Sequence, residues 1–316
     1  MRIAVLFPGQ GSQFPGMADG WQDHPAGREA LDRASGILGW DVAEVSRDAE
    51  ALSRTDIVQL AVFACDLAAF AVLRAEGISF HVGAGHSLGE YAALVASGSV
   101  ELEPGLSALA ARATAMAKAS SDNPGAMTAI VGMSAEEAHE LCEVAGRGDI
   151  LVVANENAPK QTVLSGSITA IDRAEELARS RGAKAIRLQV AGAFHSPLMA
   201  GAVQPVREAI SRIHFREPAF PIIPNSSGKP TTQPLILRDL LARHLISPVR
   251  WDATMQSMAE MGVDAITEAG PGDVLGKLAR RAIPNAIVRS VGTPDDARAV
   301  AEELRKHAAV AKTEEA

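Results

Sequence analysis

The chain has 316 residues, of which 47% are hydrophobic and 22% charged, so it can bury a large core and is too apolar to be disordered. Its 38 acidic residues exceed its 30 basic ones, and only 4% of its residues are aromatic, which argues against a nucleic-acid-binding protein. The two cysteines, Cys65 and Cys142, lack the spacing of zinc, haem or redox motifs, which favours a reduced, cytoplasmic protein without a metal.

The amino-terminal part of the chain has the pattern of a parallel sheet. Ile3 to Phe7 and Phe80 to Gly85 are short apolar runs, typical of strands buried on both faces. Between them, Ile57 to Ala75 has apolar residues at helical spacing, and its apolar core is too short to predict a membrane span. Strand, helix and strand in this order predict a βαβ unit of an α/β protein.

The order of the predicted elements changes from about residue 124. Ser134 and Glu137 form the Ser-x-x-Glu capping box that is typical of a helix start. The predicted elements are strand, helix, strand, strand, helix and strand, at Ala126–Val131, Ser134–Ala145, Leu151–Ala154, Thr162–Leu164, Ile168–Arg181 and Ala185–Val190. This βαββαβ order predicts a small ferredoxin-like domain at residues 124–191, inserted into a discontinuous large α/β domain at residues 1–123 and 192–316.

The remaining third of the chain alternates helices with short extended segments. Three helices are predicted, at Met199–Ile213, Leu235–Leu245 and Asp252–Met261. Phe220 to Pro224 is predicted to be extended, and a strand at Ala265–Glu268 leads into the turn Gly270-Pro271-Gly272.

The segment Gly85-His86-Ser87-Leu88-Gly89 matches the nucleophile-elbow pattern G-x-S-x-G. It lies where a predicted buried strand ends and a helix from Leu88 to Ser97 begins. Glycines are needed there because a serine on so sharp a turn leaves no room for neighbouring Cβ atoms. Ser87 is therefore the candidate nucleophile, and the alternative is a glycine-rich turn with a passive serine.

A serine nucleophile also needs an oxyanion donor and a base. Gly9-Gln10-Gly11 follows the first strand and can expose backbone amides, whereas Phe14 breaks the dinucleotide-binding fingerprint and no P-loop occurs, so no nucleotide cofactor is predicted. Among the eight histidines, His195 lies on a small-residue loop at the predicted domain junction. It is the favoured base, and the alternatives are that it is a structural histidine or that another histidine is the base.

Two basic features admit both a functional and a structural interpretation. Arg112 shares a helix face with Leu109 and Met116 in a helix predicted from Gly105 to Ala119, so its guanidinium needs an anionic partner, either a structural carboxylate or a substrate carboxylate. Lys277, Arg280 and Arg281 share another face. That face is either solvated surface or a contact for an acidic protein or a phosphate.

Taken together, the motifs resemble those of the malonyl-CoA:acyl carrier protein transacylases, in order over nearly the whole chain. The resemblance rests on six segments: Phe7–Gln13, Gly85–Tyr91, Arg112 with Met116, Asn155–Pro159, Gly192–Ser196 and Glu268–Gly272.

This resemblance implies a hydrolase-like large domain, a ferredoxin-like small domain and a Ser87–His195 dyad in the cleft between them. The main-chain carbonyl of Arg250 would orient the imidazole, and no acidic third member would be needed. The resemblance also assigns the oxyanion amides to Gln10 and Leu88, and substrate contacts to Arg112, Met116, Phe194 and Asn157. Ala117 departs from the family, which often has Gln there, and Glu156 is unusual between two asparagines.

The implied activity is transfer of a malonyl group from malonyl-CoA to the phosphopantetheine thiol of an acyl carrier protein, through a malonyl-serine. Lys277, Arg280 and Arg281 become candidate contacts for the acidic carrier. The expected partners are malonyl-CoA and the carrier, with no bound cofactor, nucleic acid or membrane. Two alternatives stay open: a serine hydrolase or thioesterase with the same elbow, and a non-catalytic carrier-binding protein.

Overall fold

The computed structural model describes residues 1–314, so the last two residues of the predicted range 192–316 lie outside it. Its eight strands form two separate sheets. In chain order they are β1 (Ile3–Phe7), β2 (Val82–Gly85), β3 (Ala126–Val131), β4 (Leu151–Ala158), β5 (Gln161–Gly166), β6 (Lys184–Arg187), β7 (Ala265–Ala269) and β8 (Ile287–Val291).

The strands are interleaved with α-helices. In chain order these are α1 (Pro25–Leu38), α2 (Val42–Val45), α3 (Thr55–Ala75), α4 (Gly89–Ala96), α5 (Leu102–Asp122), α6 (Ala135–Gly146), α7 (Ile168–Ser180), α8 (Ala200–Ser211), α9 (Pro234–Arg243), α10 (Trp251–Glu260), α11 (Val274–Ala282) and α12 (Pro294–Glu314). Short 3-10 turns occur at Asp19–Asp23, Ala51–Ser53, Pro197–Met199 and His244–Ile246.

The larger sheet is parallel throughout, with the strand order β2-β1-β7-β8. Nearly every residue of β1, β2 and β7 is buried, which explains why β1 and β2 appear as continuous apolar runs in the sequence. Residues 220–223 run beside the outer edge of β2, where the Gly83 amide donates to the Pro221 carbonyl. A side chain at Gly83 would collide with the Phe220 ring, so this close approach requires glycine.

The carboxyl ends of these parallel segments meet at one edge of the sheet. Gly9 follows β1, Ser87 follows β2, Gly270 follows β7, and Asn225 follows the extended segment beside β2. Helix α3 packs behind this edge, and it is the one helix in residues 1–314 that is long and apolar enough to cross a membrane. Most of α3 is buried inside the protein, so its apolar surface belongs to the core.

The smaller sheet is antiparallel, with the strand order β4-β5-β3-β6. The predicted βαββαβ order is confirmed, and the Ser134–Glu137 capping box forms with both of its hydrogen bonds. Helices α6 and α7 cover one face of this sheet over a separate apolar core. The other face presents Met127 and Val163 to the main core. This face of the sheet forms one wall of an internal cavity.

Candidate active site

Ser87 lies on the predicted sharp turn, between the end of β2 and the start of α4. Its φ angle is +53°, a left-handed conformation that only strong local constraints impose on a serine. A Cβ at Gly85 would collide with the backbone of Gly89, and one at Gly89 would collide with the Phe7 carbonyl. Helix α4 begins at Gly89 and ends at Ala96, one residue inside the predicted span at each end, with Leu88 as the N-cap.

Ser87 and His195 are brought together. The Ser87 Oγ atom lies 2.8 Å from His195 Nε2, although the two residues are 108 positions apart in the chain. His195 also has a positive φ, +56°, on the loop between β6 and the 3-10 turn at Pro197–Met199, and its side chain is buried. Both side chains are therefore held by strained backbone, which is typical of functional sites.

Main-chain oxygens fix the orientation of the His195 ring. Its Nδ1 atom lies 3.1 Å from the Ser247 carbonyl and 3.2 Å from the His244 carbonyl. A carbonyl can only accept, so Nδ1 carries the proton and Nε2 presents its lone pair to Ser87. The assignment of this role to the Arg250 carbonyl is wrong: that oxygen accepts from the backbone amide and hydroxyl of Thr254, because it starts helix α10.

Burial keeps the His195 imidazole neutral. Loss of solvent is the main cause, and together with the nearby charge of Arg112 it lowers the pKa of His195 to about 3. The neighbouring ring of His244, whose centroid is 5.0 Å from that of His195, also has its pKa lowered well below the ordinary value by burial. A neutral imidazole can accept a proton from the Ser87 hydroxyl.

Arg112 is buried beside the nucleophile without a carboxylate partner. Its Nη2 atom donates to Ser87 Oγ at 3.0 Å, and its Nη1 atom donates to the side-chain oxygen of Gln59. The guanidinium carbon lies 6.0 Å from the centroid of the Tyr91 ring. Within residues 1–314 it forms no direct ion pair, although the buried Glu90 carboxyl group attracts it electrostatically, and the guanidinium lines the cavity.

A small cavity of about 80 Å³ connects these groups. Gln10, Leu88, Met116 and Phe194 all line it, together with Ser87, His195 and Arg112. The backbone amides of Gln10 and Leu88 donate to no protein acceptor in the described part of the chain, so they can stabilise an anionic oxygen. The Ser87 amide is not free in this way, because it donates to Asn225 Oδ1 at 2.8 Å.

A larger groove of about 470 Å³ shares Gln10, His86 and Asn155 with the cavity and opens toward α11. Asn157 lines this outer groove and is absent from the inner cavity; its Oδ1 atom lies 3.0 Å from His86 Nε2. The Asn157 side chain therefore orients His86, and substrate contact by Asn157, which lines the outer groove, stays a prediction. His86 points away from Ser87 toward Asn157 and Trp251, as expected on an elbow.

The three basic residues of α11 are exposed near the mouth of this groove. Lys277 Nζ pairs with Asp273 at 2.8 Å, and Arg281 Nη1 donates to Gln161 at 3.3 Å. Arg280 reaches back to the Val288 carbonyl at 3.5 Å. Helix α11 also lends Val274, Leu275 and Leu278 to the groove lining, so its basic face and the groove are neighbours.

Sequence reasoning missed several buried polar residues around the nucleophile. Gln59 is the partner of Arg112, and its signal in the sequence was a glutamine within the mostly apolar helix α3. Asn225 and Glu90 contact each other below the elbow. In the sequence, Asn225 could be noticed only because it directly follows a predicted extended segment. Glu90 could be noticed because it directly follows the G-x-S-x-G motif. No group of three His, Cys, Asp or Glu residues in the described ranges is arranged to hold a metal ion.

Comparisons with known proteins identify a family over nearly the whole chain. Residues 5–315 match the family model of the acyl transferase domain. A malonyl CoA-acyl carrier protein transacylase of Bacillus subtilis is 36% identical over 285 residues, which cover 89% of this chain and 90% of the relative.

Solved structures agree over the same length. The malonyl CoA-acyl carrier protein transacylase of Coxiella burnetii superposes with a TM-score of 0.91 at 34% identity, covering 96% of this chain and 97% of that one. A malonyl-transacylase in complex with a type II PKS acyl-carrier protein gives 0.92 at 31% identity, covering 96% and 100%. The chain thus belongs to the acyl transferase family, and within it to the malonyl CoA-acyl carrier protein transacylases.

Proposed function

We propose that this protein moves a malonyl group from malonyl-CoA to the phosphopantetheine thiol of an acyl carrier protein, in the cytoplasm, for fatty acid or polyketide synthesis. One observation carries the proposal: a hydrogen-bonded Ser87–His195 pair opens into a cavity that also receives the unpaired charge of Arg112. The malonyl-transacylase relatives, one of them in complex with a carrier protein, support the same donor and acceptor.

The first half of the reaction acylates Ser87. His195 Nε2 accepts the hydroxyl proton as Ser87 Oγ attacks the thioester carbon, and the amides of Gln10 and Leu88 stabilise the oxyanion. The tetrahedral intermediate collapses, the carbon–sulfur bond breaks, and the imidazolium returns its proton to the coenzyme A thiolate. Malonyl-serine remains on the protein.

In the second half, the carrier's thiol attacks the ester. His195 accepts the thiol proton and then returns it to Ser87 Oγ as the ester bond breaks. The Ser247 and His244 carbonyls stabilise the transient imidazolium by accepting from Nδ1, so a dyad suffices without an acidic third residue.

Arg112 supplies the preference for a carboxylated acyl group. Burial lowers the pKa of Arg112 from its very high ordinary value, and Tyr91 and Glu90 oppose this shift. An arginine side chain keeps its charge in proteins, so the guanidinium can hold the malonyl carboxylate with two parallel hydrogen bonds. Met116 and Phe194 fill the rest of the cavity and leave little room for a branched acyl group. The Gln59 amide supplies a polar group near the pocket where Ala117 does not.

We also infer the domain organisation from these elements. The order β4-β5-β3-β6, with α6 and α7 on one face, supports a ferredoxin-like small domain at residues 124–191. The parallel sheet and its nucleophile elbow support a hydrolase-like large domain at residues 1–123 and 192–316. The described cavity takes residues from both parts, with Met127 and Val163 on one side and Ser87 on the other.

The low pKa of His195 predicts an unusual pH dependence of acylation. Because the pKa of this base is lowered from 6.5 to about 3, the imidazole is neutral and competent at every pH above that value. We therefore expect kcat/KM for malonyl-CoA, measured by rapid-quench acylation, to stay flat from about pH 5 to about pH 8. A fall in this rate constant below pH 6.5, centred on the ordinary histidine pKa, would contradict the assignment.

We propose that the basic face of Lys277, Arg280 and Arg281 contacts the acidic carrier. Arg281→Glu is expected to raise KM for the carrier about tenfold while leaving the rate of Ser87 acylation by malonyl-CoA unchanged, because only the second half-reaction involves the carrier. Arg298→Glu, on α12 and outside the groove, is the matched control. An unchanged KM for the carrier in Arg281→Glu would remove this face from docking.

Release of coenzyme A tests the proposed transfer against hydrolysis and simple binding. With malonyl-CoA alone, the protein should release one equivalent of thiol per active site and then stop. Addition of phosphopantetheinylated carrier should start multiple turnovers and load the carrier with malonate. Continuous thiol release without carrier would indicate a hydrolase, and no release under either condition would indicate a non-catalytic binding protein.

A further inference from the structure

Asn225 uses all of its hydrogen-bonding groups around the nucleophile elbow. It is 1% exposed, and it follows the extended segment that runs beside β2. We propose that Asn225 is a positioning residue that fixes Ser87 and the segment orienting His195 relative to each other. The proposal rests on the proposed acylation of Ser87 and concerns a residue that touches neither the acyl group nor the His195 ring.

On the serine side, the Asn225 side-chain amide contacts the backbone of the elbow at two residues, Gly85 and Ser87. Its Oδ1 atom accepts from the Ser87 amide at 2.8 Å, and its Nδ2 atom donates to the Gly85 carbonyl at 2.6 Å. Since an amide N–H can only donate and a carbonyl can only accept, these partners determine which way the Asn225 side chain is oriented. The amide thus holds the backbone that leads into the strained φ angle of Ser87, from the Gly85 carbonyl to the Ser87 amide.

On the histidine side, the main chain of Asn225 holds the segment that orients the imidazole. Its carbonyl oxygen accepts from the Arg250 amide at 2.9 Å. Arg250 closes the short segment that begins at Ser247, whose carbonyl accepts from His195 Nδ1. Displacement of Asn225 would therefore shift the acceptor of His195 as well as the backbone of Ser87.

Glu90 holds Asn225 in place from the first turn of α4. One carboxylate oxygen of Glu90, Oε2, accepts from the Asn225 backbone amide at 2.8 Å and also from its Nδ2 atom. Glu90 is itself buried, and its other near neighbour is the His244 ring, whose Nδ1 atom lies 3.9 Å away. The contacts run from Ser87 through Asn225 and Glu90 back toward the residues around His195.

The test uses two variants at this position. Asn225→Ala removes all side-chain contacts, and the nearly isosteric Asn225→Asp keeps the acceptor for Ser87 but turns a carboxylate oxygen toward Glu90 and the Gly85 carbonyl. We expect single-turnover acylation by malonyl-CoA at pH 8 to slow about 100-fold in Asn225→Ala and at least tenfold in Asn225→Asp, with KM changed less than threefold.

A pH series separates positioning from a purely structural role. The titratable and charged groups around the new carboxyl group are Glu90, His244 and Arg112. Protonation of that carboxyl group restores one donor toward Glu90, so the rate in Asn225→Asp should recover as the pH falls from 8 to 6. The wild-type rate should change little over this interval, because burial raises the pKa of Glu90 to about 7 but its proton can bind Oε1 and leave Oε2 as the acceptor for Asn225.

Leu31→Ala, a cavity-forming variant in α1 away from the pocket, is the control for destabilisation. It should lower the melting temperature and leave acylation per folded molecule unchanged. If Asn225→Asp, verified as folded by circular dichroism, acylates at the wild-type rate at pH 8, the positioning role is wrong. If wild-type protein is not acylated in the same assay, the proposed function itself fails, which is a separate outcome.

Discussion

Replacing His195 by alanine is expected to slow acylation of Ser87 by about 10³- to 10⁴-fold, with little change in binding of malonyl-CoA. The imidazole is the one base within hydrogen-bond distance of Ser87 Oγ in the described chain, and the guanidinium on its other side only donates. Without the imidazole, the proton of the Ser87 hydroxyl must pass to water in a buried cavity. Rapid-quench measurement of the acyl-enzyme gives the rate directly.

His214→Ala provides the control, because His214 is exposed and lies outside the cavity. It should acylate at the wild-type rate. A small effect of His195→Ala, comparable with that of the control, would mean that the hydrogen bond between Ser87 and His195 does not serve catalysis.

Replacing Arg112 by alanine should change the choice of donor. A charge-assisted bidentate contact contributes about 1.5 to 3 kcal/mol, so transfer from malonyl-CoA should fall about 10- to 100-fold relative to transfer from acetyl-CoA. Acetyl transfer has no carboxylate to lose and should be much less affected. Competition between the two donors, read by mass spectrometry of the loaded carrier, measures this ratio.

Arg112→Lys is the matched variant, since it keeps a positive charge and loses the planar fork. Its preference for malonyl-CoA should fall between those of the wild type and Arg112→Ala. Equal losses for both donors in Arg112→Ala would show that Arg112 supports the Ser87 hydroxyl, 3.0 Å away, without selecting the acyl group.

Features that depend on neighbouring residues in the chain, such as tight turns and helix caps, could be predicted from the sequence. The turn at Ser87 requires glycine on both sides, and this requirement appears in the sequence as G-x-S-x-G. The capping box at Ser134 is likewise a local pattern, and it forms as predicted. The parallel sheet followed from apolar runs whose residues are buried on both faces.

Features that depend on the tertiary path of the chain could not be predicted in this way. The carbonyls that orient His195 belong to Ser247 and His244, and Arg250 lies only three positions beyond Ser247, so no local pattern distinguishes its oxygen from theirs. The contact between Asn225 and Ser87 joins residues 138 positions apart. The partners of a buried group, such as the pairing of Arg112 with Gln59, are visible only when the helices are packed.

Strand β4 illustrates the limit of hydrophobic periodicity. The apolar pattern predicts its end at Ala154, whereas the strand continues to Ala158 through two irregular positions in its pairing with β5. The additional residues include Asn155 and Asn157, which line the cavity or groove. Polar residues on a strand that faces a binding site have the same hydrophobicity pattern as a loop. The pattern shows only that a residue is polar, and it does not show whether the residue lines a pocket or faces bulk solvent.

Intact-mass analysis after mixing with malonyl-CoA tests the central claim most directly. The wild-type protein should gain the mass of one malonyl group, peptide mapping should place it on Ser87, and holo carrier should remove it. Ser87→Ala, folded to the same extent by circular dichroism, should gain nothing. Absence of an adduct on the wild type, or the same adduct on Ser87→Ala, would contradict the account.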